Sequence, residues 1–284
     1  MPELPEVEVV RLFLQSHLIG KTISKLDIIT PKSFIGNPES TKGQKITNTS
    51  RVGKQLSLHL KNGLILLFHL KMTGQIIYKG VSLGHPTPKE DKTSLPNKST
   101  RLIFTFLDKS KLYFNDQRKF GWVKVLNQPE LAEAQKNLGL DILSPKFTPQ
   151  YFYCQLQSSS RSVKSVLLDQ SKFAGIGNIY ANDVLFLSHI HPDTPSNKIS
   201  LLKVRILRKK LINLLKESIS QGGSTAKDNK YIHPDGSHGQ HQFSFQVYQR
   251  DGQPCLKCQT LIKKIKIGGR GTFYCPQCQK PLVK

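Results

Sequence analysis

The chain has 284 residues, a length that allows two or three domains with real hydrophobic cores. Its 42 Lys and Arg residues outnumber its 19 Asp and Glu residues, which gives a formal net charge of +23. This excess favours a polyanionic partner, either nucleic acid or an anionic membrane. Nucleic acid is the better candidate, because no apolar run approaches the roughly 20 residues of a membrane span and no signal peptide opens the chain.

The first eight residues, Met-Pro-Glu-Leu-Pro-Glu-Val-Glu, lead directly into a helix predicted over residues 5–18. If Met1 is removed, Pro2 carries a free secondary amine, and an α-amino group titrates at about pH 8. Attack of that amine on a sugar C1′ gives a cationic iminium, which acts as an electron sink for later bond cleavage. Glu3 lies beside it as a candidate acid or base. Alternatively, Pro5 and the acidic residues only start the helix and complement its dipole.

Short apolar or alternating runs between residues 20 and 126 predict β-strands. The predicted strands are 23–29, 55–60, 64–70, 75–78, 102–106 and 111–114. Asn62-Gly63 predicts a hairpin turn between two of them, since both residues tolerate a positive φ. Residues 80–100 are rich in Pro, Lys, Ser and Thr and are typical of a surface loop. This part of the chain is therefore expected to form a β-sandwich or barrel with one helix attached.

The second half of the chain changes to helical periodicity. The predicted helices are 129–137, 162–170, 178–187 and 200–220. The first lies in a connection over residues 127–150, and the next two are joined by the glycine-bearing double turn Phe173-Ala-Gly-Ile-Gly177. The last is strongly basic. Residues 224–242 are polar and contain Gly and His, which predicts a loop.

Four of the five cysteines form two pairs, Cys255-x2-Cys258 and Cys275-x2-Cys278, with 16 residues between them. This spacing is typical of a zinc ribbon rather than of a disulfide framework. Four thiolates leave no open position for a substrate, so one structural Zn²⁺ ion is expected. Cys154 stands apart from the pairs and is interpreted as a core residue.

Several residues of the strand-rich half are candidate contacts to nucleic acid. Lys54, in the loop before a predicted strand, either binds a phosphate or is an ordinary surface charge. Arg118 and Phe120 lie in a basic loop just past a strand, and such loops can insert into a duplex and stack where a base has left. The alternative is a hairpin whose Phe120 belongs to the core. Met72 has the same two interpretations.

Two residues of the helical half have similar alternatives. Asn178 follows two glycines and begins a predicted helix, so it is either a simple N-cap or part of a phosphate site made by free N–H groups. Arg270 lies between Gly269 and Gly271 at the expected hairpin tip of the zinc ribbon. It either approaches a phosphate closely or belongs to a plain tight turn.

Four stretches occur in one chain: Met1-Pro-Glu-Leu-Pro-Glu-Val-Glu8, Asp116-Gln-Arg-Lys-Phe-Gly121, Leu168-Asp-Gln with Ala174-Gly-Ile-Gly-Asn-Ile-Tyr-Ala181, and Gly269-Arg-Gly-Thr-Phe-Tyr-Cys275. Together with the zinc ribbon they resemble bacterial formamidopyrimidine-DNA glycosylases over essentially the whole chain. The resemblance implies an α+β, multidomain fold. An N-terminal helix with a two-sheet antiparallel β-sandwich is followed by a helical helix–two-turn–helix domain that ends in a four-cysteine zinc finger.

The resemblance also implies an activity, that of a bifunctional DNA glycosylase and abasic-site lyase of base excision repair. Its substrates would be oxidised purines in duplex DNA, chiefly 8-oxoguanine and formamidopyrimidines, and flipping the base out would cost a few kcal/mol. Pro2 would be the Schiff-base nucleophile, Glu3 the acid or base and Glu6 a supporting carboxylate. The iminium would allow β- and δ-elimination, and Lys54 and Arg270 are counted with the catalytic residues.

The resemblance assigns DNA contacts by position. The residues expected to bind DNA are Lys54, Met72, Arg118, Phe120, Lys164, Asn178 and Arg270. Lys54 would contact the phosphate beside the lesion, and Arg118 would face the orphaned base. The two residues that depart from the usual loop motif, Gln117 and Lys119, leave Arg118 and Phe120 in place.

The implied organisation has five segments. They are a catalytic β-sandwich domain with its helix (1–128), a connection (129–150), the helical DNA-binding domain (151–223), a lesion-capping loop (224–242) and the zinc finger (243–284). His233, His238 and His241 in the capping loop are expected to be solvent-exposed rather than metal ligands, and they leave the lesion preference open. The protein is expected to be a cytoplasmic, nucleoid-associated bacterial monomer without a nucleotide cofactor or a membrane contact.

Two alternatives remain open at this stage. An enzyme resembling endonuclease VIII would remove oxidised pyrimidines with the same proline, although Leu4 favours the purine-acting group, because the sister group typically begins Pro-Glu-Gly. A non-catalytic DNA-binding protein would keep the basic surface and the zinc ribbon but would not need Pro2 and Glu3. Both residues are present.

Overall fold

A computed structural model describes residues 1–80, 95–225 and 231–281. The helices are α1 (Leu4–Leu18), α2 (Gln128–Gln135), α3 (Pro149–Gln157), α4 (Val163–Leu167), α5 (Asn178–Leu187) and α6 (Leu201–Ser220). The strands are β1 (Ile23–Ile28), β2 (Phe34–Ile35), β3 (Ile46–Val52), β4 (Gln55–Leu60), β5 (Ile65–His69), β6 (Gly74–Lys79), β7 (Thr100–Phe106), β8 (Lys111–Asp116), β9 (Trp122–Leu126), β10 (Leu140–Asp141), β11 (Phe173–Ala174), β12 (Lys263–Ile267) and β13 (Arg270–Tyr274). The predicted α+β class is confirmed. Most of the loop predicted over residues 80–100, and part of that predicted over residues 224–242, lie outside the described residues.

The chain divides into two compact units. Unit 1 consists of residues 1–136 and 222–240, and unit 2 consists of residues 137–221 and 241–284. Residues 222–240 therefore belong with the N-terminal half of the chain, although residues 137–221 of unit 2 separate them from it in sequence. The predicted five-segment division of the chain stays a prediction.

Unit 1 contains two β-sheets that share one core. One sheet has the strand order β1–β7–β8–β6 and the other has the order β2–β9–β5–β4–β3. The pairs are antiparallel except at one edge, where the short β2 pairs with β9 in parallel. Phe68 of one sheet and Phe104 of the other are buried in a single cluster, with their ring centroids 6.0 Å apart. The predicted two-sheet sandwich is thus confirmed.

Helix α1 closes this core with one face. Val7, Val10, Leu14 and Leu18 recur at helical spacing and are at most 1% exposed. Each such side chain contributes roughly 1.5–3 kcal/mol when it leaves water. The start of the chain is therefore held against the sandwich by packing, and not only by its own helical hydrogen bonds.

Unit 2 is built on helices α3 to α6. Asp183 of α5 is fully buried and accepts the backbone N–H groups of Gln246, Val247 and Tyr248, each at 3.0 Å. Burial raises the pKa of Asp183 to about 6, against these donors, which favour the charged form. One carboxylate thus fixes the turn that leads into the cysteine-rich segment.

The predicted helices of unit 2 are partly confirmed. Helix α5 has the predicted bounds, but α4 ends at Leu167 rather than at residue 170. The reason is local, because the carboxylate of Asp169 accepts both the N–H and the hydroxyl of Ser171, at 3.1 and 2.6 Å. The carbonyl of Gln170 accepts the N–H of Gly139 at 2.9 Å. These bonds replace the helical ones. Across the described residues, no helix has the length and apolar character needed to cross a membrane.

Candidate active site and nucleic-acid interface

The start of α1 is buried. Pro2 and Glu3 immediately precede the helix, both are shielded from solvent, and Glu3 is 2% exposed. Pro5 lies in the first helical turn, where a missing N–H costs no helical hydrogen bond. The sequence thus places the two proposed catalytic residues at the helix entrance and keeps them away from bulk water.

Glu6 ties this entrance to residues 222–240 of the same unit. Its Oε2 accepts the N–H of Glu3 at 2.8 Å, and its Oε1 accepts the N–H of Ser224 at 2.9 Å. The hydroxyl of Tyr231 donates to the Glu6 carbonyl at 3.2 Å. Burial, with the nearby Glu6 charge, raises the pKa of Tyr231 well above its usual value and keeps it a donor. Both oxygens of the Glu6 carboxylate are engaged, which suits a supporting carboxylate.

Lys54 occupies a two-residue hairpin turn between β3 and β4. Val52 pairs with Gln55, so Gly53 and Lys54 are the central residues of the turn. Gly53 has a φ of +58°, a conformation that glycine adopts without strain. The turn thus places the half-buried Lys54 at the end of an antiparallel strand pair.

A histidine that sequence reasoning passed over lies beside Lys54. Burial lowers the pKa of His69 to about 3, and the charges of Lys71 and Lys54 add to this effect. The Nδ1 atom of His69 accepts the N–H of Lys71 at 3.1 Å. A neutral imidazole between two cations is a local environment that attracts an anion. No spacing rule marks this histidine in the sequence, because the cluster arises from pairing β4 with β5.

Asp116 joins the two loops that carry Met72, Arg118 and Phe120. Its carboxylate is fully buried, and it accepts the N–H of Arg118 at 3.1 Å, the N–H of Gly121 at 2.6 Å and the hydroxyl of Thr73. Thr73 directly follows Met72, so one carboxylate fixes both loops. The guanidinium of Arg118 lies 4.8 Å from the Phe120 ring centroid. Phe120 is 52% exposed, so the core interpretation of this residue is wrong.

Unit 2 brings Asn178 to the hairpin that carries Arg270. Strands β12 and β13 pair up to Ile267 and Arg270, and Gly268 and Gly269 form the tip with φ values of +54° and +76°. A side chain at Gly268 would meet the hydroxyl of Ser165 at 2.9 Å, so the tip approaches α4 closely. The side-chain amide of Asn178 donates to the Gly271 carbonyl at 3.1 Å. Arg270 itself is exposed.

The buried position of Lys164 contradicts the prediction that this residue contacts a phosphate. The residue is 0% exposed, and its ammonium donates to the Gly271 carbonyl at 2.8 Å and to the Thr272 hydroxyl at 2.7 Å. An ammonium enclosed in this way does not reach a phosphate outside the protein. Its contact is with the hairpin, so Lys164 fixes the strand on which Arg270 lies.

The four paired cysteines converge. Their sulfur atoms all lie within 4.8 Å of one another, with Cys255–Cys278 at 3.9 Å, Cys258–Cys275 at 3.4 Å and Cys258–Cys278 at 3.5 Å. Four sulfurs at about 2.3 Å from a tetrahedral zinc ion are about 3.8 Å apart, so the cluster fits zinc. Hydrogen bonds from Thr260 lower the pKa of Cys258 to about 6, whereas burial raises those of Cys275 and Cys278. Burial thus disfavours the thiolate form of some cysteines in the cluster. A bound divalent cation offsets this effect, since it stabilises all four thiolates.

Three expectations about single residues need correction. Cys154 is exposed rather than part of the core, because it lies on the outer face of α3. His241 is 0% exposed and stacks on Tyr180, with ring centroids 5.6 Å apart. His233 is half-buried and bonds to the Gly222 carbonyl. His238 is exposed as expected. Among the described residues, the ligand atoms that lie close enough together to share a metal ion are the sulfurs of the four paired cysteines.

Models of known protein families match most of the chain. Residues 1–123 match the formamidopyrimidine-DNA glycosylase N-terminal domain, residues 138–230 match the H2TH domain of the same enzymes, and residues 252–281 match the zinc finger found in FPG and IleRS. The chain belongs to the formamidopyrimidine-DNA glycosylase family. It is therefore a DNA-binding glycosylase of base excision repair, and its four cysteines hold one structural zinc ion.

Full-length relatives are formamidopyrimidine-DNA glycosylases. The protein of Bacillus cereus is 37% identical over 98% of this chain and 99% of its own length. The protein of Listeria innocua is also 37% identical, over 99% of this chain and all of its own length. These matches run through both units of the glycosylase.

Solved structures of the same family share the fold. The MutM (Fpg) protein of Thermus thermophilus superposes with a TM-score of 0.86 at 34% identity, covering 99% of this chain and 100% of that one. The Lactococcus lactis Fpg, in a complex with DNA that contains an abasic site, gives a TM-score of 0.86 at 30% identity, covering 98% and 100%. A second complex of that enzyme, with DNA that contains Fapy-dG, gives a TM-score of 0.84 at 31% identity with the same coverage.

Proposed function

We propose that this glycosylase removes oxidised purines, 8-oxoguanine and formamidopyrimidines, from duplex DNA and then cuts the strand as an abasic-site lyase. The observation that carries the proposal is the buried Pro2–Glu3 pair at the entrance of α1, in a chain that matches the family from end to end. The Lactococcus lactis relative was solved with abasic-site DNA and with Fapy-dG DNA, which supports the substrate class.

The proposed chemistry begins after removal of Met1, which frees the Pro2 nitrogen. This amine attacks C1′ of the extruded nucleotide, the glycosidic bond breaks, and the base leaves with a proton delivered by an acid. Glu3 is the nearest carboxyl group in sequence and serves as that acid. The C1′–O4′ bond then breaks, O4′ takes up the proton that the Pro2 nitrogen loses, and the nitrogen lone pair forms a cationic iminium between Pro2 and C1′.

The iminium makes the later steps feasible because it accepts electrons. Removal of a C2′ proton breaks the C3′–O bond and expels the 3′ phosphate (β-elimination). Removal of a C4′ proton breaks the C5′–O bond and expels the 5′ phosphate (δ-elimination). Glu3, now a carboxylate, is the proposed base. Glu6 cannot easily share this work, since both of its oxygens accept backbone N–H groups.

The remaining proposed roles concern DNA. Lys54, next to the neutral His69 and near Lys71, binds the phosphate beside the lesion. Met72, Arg118 and Phe120 fill the space that the extruded nucleotide leaves, and the exposed Phe120 ring offers a stacking surface. Asn178 and Arg270 hold phosphates from unit 2. We infer that the protein acts as a monomer, because one chain contains all the proposed catalytic residues and DNA contacts.

Borohydride trapping tests the proposal. A duplex with 8-oxoguanine opposite cytosine should give a covalent adduct with the wild-type enzyme, mapped to the Pro2 nitrogen by mass spectrometry. Glu3→Gln should lower the trapping rate by about 10²–10⁴-fold. A variant that keeps Met1 should give no adduct, since its Pro2 nitrogen is an amide. Glu133→Gln, on the exposed surface of α2, is the matched control.

The outcomes separate the alternatives. Preferred trapping on an oxidised-pyrimidine duplex would move the enzyme to the endonuclease VIII-like activity. Tight lesion binding without any adduct on either duplex would contradict the lyase mechanism.

A further inference from the structure

A partly buried ion pair joins the helix that begins after Pro2 to the turn that carries Lys54. Glu8 lies in the second turn of α1, and its Oε2 accepts the Nε–H of Arg51 at 2.8 Å. The Nη1 atom of Arg51 donates to the Gly53 carbonyl at 2.9 Å. The side chains of Glu8 and Arg51 are 15% and 6% exposed, respectively. One guanidinium therefore bridges a helix side chain and a turn carbonyl.

The carbonyl that Arg51 holds decides the type of the turn. Gly53 has a φ of +58°, whereas Lys54 is not among the residues with positive φ. This pattern of φ signs is that of a type II′ turn, with glycine at its first central position. Types I′ and II′ differ mainly in the orientation of the central peptide, whose oxygen is that of Gly53. A donor fixed on this oxygen holds one orientation, which in turn fixes the direction in which the Lys54 side chain leaves the backbone.

We propose that Arg51, supported by Glu8, is a positioning residue that acts on DNA binding through Lys54. The proposal rests on the proposed function, in which Lys54 binds the phosphate beside the lesion. The bridge spans the two parts of unit 1 that must act together, the helix that follows the nucleophile and the turn that follows β3. Arginine is suited to this task, because its planar fork directs two donors at fixed angles, which lysine cannot do.

The chain offers a matched control in Arg11. Its guanidinium also pairs with Glu8, with Nη2 to Oε1 at 2.7 Å, and the pKa of Glu8 is lowered by both arginines despite burial. The hydrogen bonds found for Arg11 go to Glu8, Gln15 and Thr49, and none of these residues belongs to the turn. Arg11→Lys therefore perturbs the same carboxylate without releasing the Gly53 carbonyl.

The test measures binding to a duplex that contains a tetrahydrofuran abasic-site analogue. Arg51→Lys should weaken binding by about tenfold, as expected for loss of a charge-assisted hydrogen bond. It should also make the slope of log K against log salt shallower, as Lys54→Ala does. In the Lys54→Ala background, Arg51→Lys should have no further effect. Arg11→Lys should bind like the wild type. Glu8→Gln, which keeps the shape of the acceptor, should give a smaller loss with the same dependence on Lys54, and it replaces Arg51→Lys if that variant does not fold.

Additive effects of Arg51→Lys and Lys54→Ala would overturn the inference, and so would equal losses in Arg51→Lys and Arg11→Lys. If Lys54→Ala weakens binding and Arg51→Lys does not, the inference fails while the proposed role of Lys54 stands. If Lys54→Ala itself binds normally, both fail. The Pro2 chemistry is judged separately by trapping.

Discussion

Single buried carboxylates hold the segments that carry the proposed catalytic residues and some of the proposed DNA contacts. Glu6 accepts N–H groups from Glu3 and Ser224, and Asp116 accepts them from Arg118 and Gly121. A buried carboxylate without donors is costly, so each of these groups requires its loop to close around it. The side chains that touch DNA in the proposal can thus remain exposed while their backbones are fixed from beneath.

Asp116→Asn tests this view at one residue. The substitution keeps the volume of the side chain but replaces an acceptor oxygen by an NH2 group that faces a backbone donor. The unfolding free energy should fall by about 1–3 kcal/mol, which corresponds to several degrees in Tm. Affinity for an abasic-analogue duplex should fall as well, because the loops of Met72 and Arg118 lose their common anchor. Thermal unfolding and a binding titration measure both effects.

Glu133→Gln serves as the control, since Glu133 lies on the exposed surface of α2, where it pairs with Lys136. Its effect should stay within about 0.5 kcal/mol. Unchanged stability and binding in Asp116→Asn would show that the loops keep their positions without the carboxylate.

Residue-level sequence reasoning is reliable where chemistry restricts the choice and fails where burial decides. The four cysteines could be assigned from spacing, because zinc requires that spacing. Lys164 could not be placed correctly, since a lysine in a basic chain is usually exposed and only the packing of α4 against β13 encloses its ammonium. His241 fails for the same reason, as its stacking partner Tyr180 belongs to α5, far away in the sequence.

At the level of elements, predicted strands depended on apolar alternation. Strand β4, with Leu56, Leu58 and Leu60 buried, was predictable to the residue. Strand β3, Ile-Thr-Asn-Thr-Ser-Arg-Val, has too few apolar residues to be recognised, and it forms because it pairs along its whole length with β4. One of the polar residues of β3, Arg51, forms the contacts to Glu8 and to the Gly53 carbonyl near the end of the strand.

The zinc finger depends for its stability on the zinc ion that its four cysteines bind. Its small apolar cluster contains Phe186, Val247, Ile262 and Phe273 together with Cys255 and Cys275. A cluster of this size is too small to keep the finger folded by itself, so zinc acts together with the hydrogen bonds that Lys164 and Asn178 donate to Gly271. The position of Arg270 therefore depends on zinc.

Replacing Cys255 and Cys258 with serine should release zinc, disorder the β12–β13 hairpin and abolish specific DNA binding while unit 1 stays folded. Zinc content, binding to an abasic-analogue duplex and thermal unfolding measure these effects. The single tryptophan, Trp122 of β9, lies in unit 1 and reports on that unit by fluorescence. Cys154→Ser, at an exposed cysteine outside the cluster, should behave like the wild type. A variant free of zinc that binds DNA normally would exclude the finger from the interface.

At the scale of the whole molecule, the net charge of +23 favours an interface dominated by phosphate contacts, whose affinity depends on salt. Each phosphate that a cation neutralises releases condensed counterions and adds about −0.9 to the slope of log K against log salt concentration. Arg270→Ala should therefore weaken binding and make the slope shallower by about one such unit. Asn178→Ala should weaken binding with the slope unchanged, because the amide carries no charge.

The comparison distinguishes charged from neutral contacts in one experiment. Binding isotherms for each variant would be measured from about 50 to 200 mM salt, with Lys136→Ala as a control at a surface ion pair with Glu133. Lys136→Ala should leave both affinity and slope near the wild-type values, since exposed pairs contribute little. A flat salt response in the wild type would contradict a phosphate-dominated interface altogether. An unchanged slope in Arg270→Ala, with weaker binding, would instead mean that Arg270 supports the hairpin and does not neutralise a phosphate.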